Sequence, residues 1–153
     1  MDQRPTCTSS GAIGVLTEHI TARGHEHVTA THESTIEVTT DDWLTPAGDC
    51  IVAIGADRAP ASFDPSFQRA ASSAAATVTM ILQVAGHEHR IHGRGDPDLT
   101  FASDRCLIAR TSGYVDDRTV LVEATGAAAS VDRPVVAALA AGASLHVTLR
   151  VES

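Results

Sequence analysis

The feature that most constrains the fold of this chain is a pattern that occurs twice, over residues 17–84 and again over residues 88–151. The offset between matched positions falls only from 71 to 67 along the chain, so short loop deletions align the two halves throughout. This predicts two copies of one supersecondary unit in a single body with a pseudo-twofold axis. The matched segments are 20–24 with 91–95, 48–54 with 117–123, and 76–84 with 143–151.

Short apolar or alternating segments predict strands in each half. In the first half they are 16–23, 27–31, 36–39, 50–54 and 77–85; in the second they are 90–95, 98–102, 105–110, 118–124 and 145–152. The segment from Thr45 to Gly48 has Pro at its second position and Gly at its fourth, which is typical of a type I turn. We therefore expect the strand that ends near Thr40 to form a hairpin with the strand at 50–54.

One short helix is predicted in each half. Asp64 is an N-cap followed by proline at the first helical position, and the alanine-rich segment continues to about Ala75. The second helix covers about 134–141 and stops at Gly142. The expected class is mainly β (β-rich α+β), with the duplicated units packed as a two-sheet sandwich or distorted barrel.

The length and the cysteine content indicate how many domains the chain forms and which compartment it occupies. At 153 residues the chain has the size of one domain, and we expect 1–14 to be a mobile extension and 15–153 a single two-repeat domain. Cys7, Cys50 and Cys106 form an odd set without CxxC spacing, which indicates a reducing cytoplasm. No segment has the pattern of a signal peptide or the length of a membrane span, so no membrane partner is expected.

The charge is strongly one-sided. Nineteen acidic residues against eleven basic ones give a net charge of −8, and all eleven are arginine, since the chain has no lysine. This composition resembles that of proteins from extreme halophiles. It argues against a nucleic-acid partner, because no basic stripe is present to neutralise phosphates. Self-association through sheet edges stays open, and the sequence identifies no small-molecule ligand.

Histidine is the residue in excess, with eight copies, and Gly-His-Glu-His occurs at both 24–27 and 86–89. His-x-His on a strand places two imidazoles on one face, where they can share a divalent metal if a third ligand converges. His25 and His27 are therefore candidate metal ligands, with His32 as a further candidate. Exposed loop histidines without a metal are the alternative. Candidates for the completing carboxylate are Glu37, Asp49, Asp96 and Asp98.

Two further groups are candidate ligand sites. Asp49 and Cys50 open a buried strand after a turn, where a thiolate could be exposed, although a free cysteine more often packs as a small apolar residue. Arg-Gly occurs at matching places in both halves, and each pair could offer guanidinium and backbone N–H donors to an anion. Asp96 lies beside the second pair. The alternative is that each glycine only allows the chain to turn a corner between strands. These pairs are Arg23 with Gly24 and Arg94 with Gly95.

The chain resembles the archaeal domain of unknown function 371 family. The resemblance covers most of the chain after about residue 18 and rests on segments 23–32, 44–51, 93–100 and 116–119. It implies an archaeal cytoplasmic protein with a mainly β, sandwich-like fold, and it supplies no reaction. His27 stands where the family often carries Asn, and His87–His89 lies outside the family pattern, which moves the metal hypothesis towards His25, His32 and Asp49.

Two functions remain open at this stage. The first is an uncharacterised cytoplasmic binding or accessory protein. The alternative is a metal-dependent or acid/base enzyme in which His25 and His32, with Asp49 or Cys50, form a site at the seam between the two repeats.

Overall fold

A computed structural model describes residues 15–152. Eight strands form two four-stranded sheets within this range, accompanied by two α-helices and two single 3-10 turns. The elements, in chain order, are β1 (Val15–Arg23), β2 (Thr35–Thr39), β3 (Ile51–Ala53), α1 (Pro65–Ala71), β4 (Thr77–Val84), β5 (His87–Arg94), β6 (Cys106–Arg110), β7 (Thr119–Leu121), α2 (Arg133–Ala140) and β8 (Ser144–Glu152). The mainly β, two-sheet class expected from the sequence is confirmed. The predicted extension at 1–14 lies outside the described residues.

The two halves of the chain have the same order of elements. The first sheet has the order β1-β8-β4-β5 and is antiparallel throughout, and the second has the order β3-β2-β6-β7. Three strands, a helix and a strand occur in this order in each half, and the bridges Arg23↔Ile54 and Arg94↔Val122 lie at corresponding places. Tandem copying itself stays a prediction from the sequence.

One apolar core lies between the sheets. Inward-facing positions of the strands pack with apolar residues of both helices, and most of these side chains are buried completely. Val, Ile, Leu and Ala form most of this core, while the chain's three phenylalanines, Phe63, Phe67 and Phe101, contact one another beside α1. The outer face of the first sheet carries mainly polar side chains, as is usual for antiparallel sheets.

The local signals for turns and helices are confirmed. Asp64 accepts a hydrogen bond from the Ser66 amide and caps α1, which ends at Ala71, earlier than expected. Gly142 follows α2 with a φ of +89°, a conformation that glycine adopts without strain. The Gly48 amide donates to the Thr45 carbonyl at 3.0 Å, so the predicted turn exists.

The prediction of a hairpin at that turn is wrong, because β2 and β3 pair in parallel. After β2 the chain returns along the sheet through residues 40–50 before it enters β3. The turn is one step of this return connection, and the local pattern could not show the direction of the strand that follows.

Two predicted strands, 27–31 and 98–102, are irregular segments in the structure. Ala30 and Phe101 have φ values of 49° and 51°, which a strand cannot accommodate. Their apolar residues alternate with polar ones because the segments pack onto the core, and the same alternation is the signature of a half-buried strand.

Candidate functional site

A polar cleft of about 620 Å³ opens over the outer face of the second sheet. It lies on the central strands β2 and β6, each of which comes from a different half of the chain. Its lining residues are Glu37, Thr39, Asp41, Ile51, Ala102, Ser103, Asp104, Arg105, Cys106, Asp116, Asp117 and Arg118.

Glu37 points into the cleft because of strand alternation. Ile36 and Val38, its neighbours on β2, are fully buried in the core, so the side chain between them projects from the opposite face. On β6 the same alternation buries Leu107 in the core and turns Cys106 outward, diagonally across from Glu37. The partly buried carboxylate therefore lies on the floor of the cleft.

Two thiols flank this carboxylate. The Cys50 Sγ donates to Glu37 Oε1 at 3.4 Å, and Cys106 lies close enough to Glu37 for the carboxylate to affect its pKa. Cys50 precedes β3, and β2 separates β3 from β6, so the two cysteine backbones lie roughly two strand spacings apart, about 9.6 Å. That exceeds the Cα separation of about 7 Å that a disulfide spans, so both remain free thiols.

The surroundings of both thiols favour the protonated form. Burial, followed by the negative charge of Glu37, raises the pKa of Cys50 from 9.0 to about 11. The same two causes, in the same order, raise the pKa of Cys106 to about 11. At neutral pH both cysteines are therefore protonated thiols, and Cys50 donates a hydrogen bond to Glu37, which is the opposite of an activated nucleophile.

We expect Cys50 and Cys106 to react with iodoacetamide at pH 8 about 100-fold more slowly than a free cysteine, because a pKa raised by two units lowers the thiolate fraction by that factor. Peptide mapping by mass spectrometry measures each residue separately. Glu37→Gln removes the nearby charge and should accelerate both reactions, while Glu33→Gln, an exposed change outside the cleft lining, should accelerate neither. Alkylation of Cys50 at the rate of a free cysteine would contradict this assignment.

The raised pKa values also make stability depend on pH. Because the folded-state pKa values of the two thiols lie above the unfolded one, the thiols' contribution to stability is complete below pH 9 and is lost as pH rises towards 11.

Arginine–aspartate pairs form the rim of the cleft. Arg105 forms an ion pair with Asp41 at 2.7 Å. Asp116 forms ion pairs with both Arg118, at 2.7 Å, and Arg110, at 2.9 Å. Partial burial acts to raise the pKa of Asp116, but hydrogen bonds from the Arg118 side chain and amide and from Thr119 hold the pKa well below its usual range. The rim of the cleft around Glu37 thus consists of arginine–aspartate ion pairs.

The histidines predicted as metal ligands lie outside the cleft lining. His25 and His27 have ring centroids 5.1 Å apart, and the His25 Nδ1 accepts the His27 backbone N–H. The His32 Nδ1 accepts the amides of Ser34 and Thr35. Across residues 15–152, no three His, Cys, Asp or Glu side chains are grouped so that they could hold a metal ion. A metal at these histidines stays a prediction.

The paired Arg-Gly corners are occupied by intramolecular contacts. Gly24 donates its N–H to Ala143 and Gly95 donates its N–H to Ala76, so neither amide is available to an anion. The Arg94 guanidinium contacts Asp96 at 3.2 Å and Glu123 at 3.0 Å. The two glycine amides thus make corresponding contacts in the two halves, and ligand binding at Arg23 and Arg94 stays a prediction.

Asp49 acts mainly through its backbone. Its carbonyl accepts the amides of Thr31 and His32, and its carboxylate is close enough to Cys50 to help raise the pKa of that thiol. Of the candidates named from the sequence, Glu37 and Cys50 come together, with Asp49 beside them. The pairing of Glu37 with Cys106 depends on which strands are neighbours, and no local pattern indicates it.

Comparison with known proteins agrees with this picture. Residues 20–152 match the family described as Domain of unknown function (DUF371). The chain belongs to this family. An uncharacterized protein of Methanocaldococcus jannaschii is 35% identical to it over 126 residues, which cover 82% of this chain and 93% of that protein. The family assignment thus covers both sheets and the cleft between the halves. None of the helices in residues 15–152 has the length and apolar character needed to cross a bilayer.

Proposed function

We propose that this member of the family is a binding or accessory protein of the archaeal cytoplasm, and that it holds a small organic cation in the cleft over β2 and β6. The observation that carries the proposal is the Glu37 carboxylate on the floor of that cleft, supported by neutral thiols. The archaeal relative and the cysteine content support the setting.

The charges around the cleft favour a cation. Five carboxylates and two guanidinium groups line it, which gives a net charge of −3, or −2 when Arg110, which contacts Asp116 from outside the lining, is included. The two arginines pair with Asp41 and Asp116. Among the described residues, no basic side chain lies within ion-pair distance of Glu37. Phosphates, nucleotides and nucleic acids would meet repulsion here, because like charges brought together cost free energy.

The spacing of the acidic groups favours an amine over a metal ion. Hard divalent cations need several oxygens at 2.3–2.6 Å or closer, and the described side chains do not converge in that way. An ammonium group carries its charge with three N–H donors and can bond to Glu37 while further amines reach the carboxylates of the rim. A cleft of about 620 Å³ lies within the range of about 300–1,000 Å³ that small-molecule sites usually span.

The test is isothermal titration calorimetry with spermidine at low ionic strength. We expect one spermidine per chain, and we expect Glu37→Gln to weaken binding about tenfold or more, because it removes the charge that faces the ligand. Glu33→Gln is the matched control, since it removes the same charge from the same protein outside the cleft lining.

Citrate serves as the anion control and should give no heat of binding. Equal affinities of the Glu33 and Glu37 variants would show that spermidine responds only to the net charge of −8 and would refute the cleft as its site. Absence of spermidine binding to the unmodified protein would refute the proposal as a whole.

A further inference from the structure

A second group of chemically active side chains lies on the first sheet, outside the cleft lining. His19 on β1 and His146 on β8 face each other on adjacent strands, with the Nδ1 of His19 3.1 Å from the Nε2 of His146. We infer that these two imidazoles form a binding site for a borderline transition-metal ion such as Zn²⁺ or Cu²⁺.

The strands hold both rings on the outer face. Ile20 and Val147, which flank the two histidines in sequence, are fully buried in the core, so the histidines point away from it. The backbone register pairs His19 with Thr148 and Thr21 with His146, which makes the two histidines diagonal neighbours. Antiparallel pairing along all of β1 fixes this relation.

The distance between the nitrogens suits a shared metal. Two imidazole nitrogens bound tetrahedrally at about 2.0–2.1 Å from zinc lie about 3.3–3.4 Å apart, so the pair needs only a few tenths of an ångström of adjustment. In the free protein one N–H must lie between the two nitrogens, and a metal ion would replace that proton. Imidazole is the ligand that Zn²⁺, Cu²⁺ and Ni²⁺ accept most readily at neutral pH.

One oxygen group lies on the same side of the His19 ring as the proposed site, because the Thr148 hydroxyl is 3.3 Å from the His19 Nδ1. The Thr17 hydroxyl is 3.5 Å from the other ring nitrogen, Nε2, where a hydrogen bond helps to orient the ring. With two protein nitrogens, such a site keeps positions open for water or a further ligand. His25 and His32 differ from this pair because the Nδ1 of each already accepts backbone N–H groups.

The test uses untagged protein freed of metal with a chelator and then dialysed. Calorimetric titration with ZnCl₂ should give one zinc ion per chain, and His146→Gln should weaken binding about tenfold or more, because it removes one of the two nitrogen ligands. His92→Gln is the matched control. His92 lies on β5, part of the same sheet, where it contacts Thr79 at 3.2 Å, and its replacement should leave zinc affinity unchanged.

Electron paramagnetic resonance with one equivalent of CuSO₄ gives a second readout. Coupling to two imidazole nitrogens is expected in the unmodified protein and in the His92 variant, and to only one after His146→Gln. Absence of zinc binding to the unmodified protein, or equal affinities in the two variants, would overturn the site. Neither result depends on spermidine, so the cleft proposal is tested independently.

Discussion

Gly24→Ala and Gly95→Ala should each lower the free energy of unfolding by about 3 kcal/mol or more, enough to leave little folded protein. A Cβ at position 24 would lie 1.8 Å from the Leu139 carbonyl oxygen, at the end of α2. A Cβ at position 95 would lie 1.9 Å from the Ala71 carbonyl oxygen, at the end of α1. In both cases the obstacle is backbone, which cannot rotate away as a flexible side chain could, so the helix and the strand must separate.

Urea denaturation followed by circular dichroism measures this effect. Gly113→Ala is the control, because the nearest atom to its added Cβ is 4.0 Å away, and we expect its free energy of unfolding to stay within about 0.5 kcal/mol of the unmodified value. If Gly24→Ala were as stable as Gly113→Ala, the close approach of strand and helix described above would be incorrect.

Phe67→Ala should cost about 3–5 kcal/mol of stability, which is the usual range for a large aromatic residue removed from a core. Phe67 on α1 is 1% exposed. Its ring lies edge-on to Phe63, with centroids 5.6 Å apart, and edge-on to Phe101, at 6.2 Å. Removing it leaves a cavity and also removes both aromatic contacts, which contribute beyond their buried area.

Val135→Ala is the matched change in the other half, because Val135 is also 1% exposed and lies near the start of α2. It removes fewer carbon atoms, so we expect a loss of about 2 kcal/mol in the same urea experiment. A cost at Phe67 no greater than that at Val135 would show that the three phenylalanines do not pack as a unit.

The sequence predicted those parts of the fold that depend on local chemistry. Asp64 with Pro65 marks the start of a helix because a side-chain oxygen can accept an unpaired amide and proline needs none. Alternation identified the strand that carries Glu37. The direction of β3 was missed, because nothing in the turn at residues 45–48 indicates whether the next strand runs parallel or antiparallel.

Prediction of the site was limited for the same reason. Glu37 was named as a carboxylate that could join the histidines, and Cys50 as a thiol near Asp49, but their contact with each other depends on the pairing of β2 with β3. Cys106 joins them only because β6 lies on the other side of β2. The His19–His146 pair is separated by 127 positions in the chain, and only the register of β1 with β8 brings the rings together.

The glycine corners have a consequence for the integrity of the chain. Gly24 of the first half rests on the end of the helix in the second half, and Gly95 rests on the end of the helix in the first. Each half therefore supplies the surface against which the other makes its bend. A polypeptide cut at Gly86 would give two fragments, each with an unpacked helix end and an unsupported glycine corner. We expect neither fragment to fold unless the other fragment, or a second copy of itself, is present.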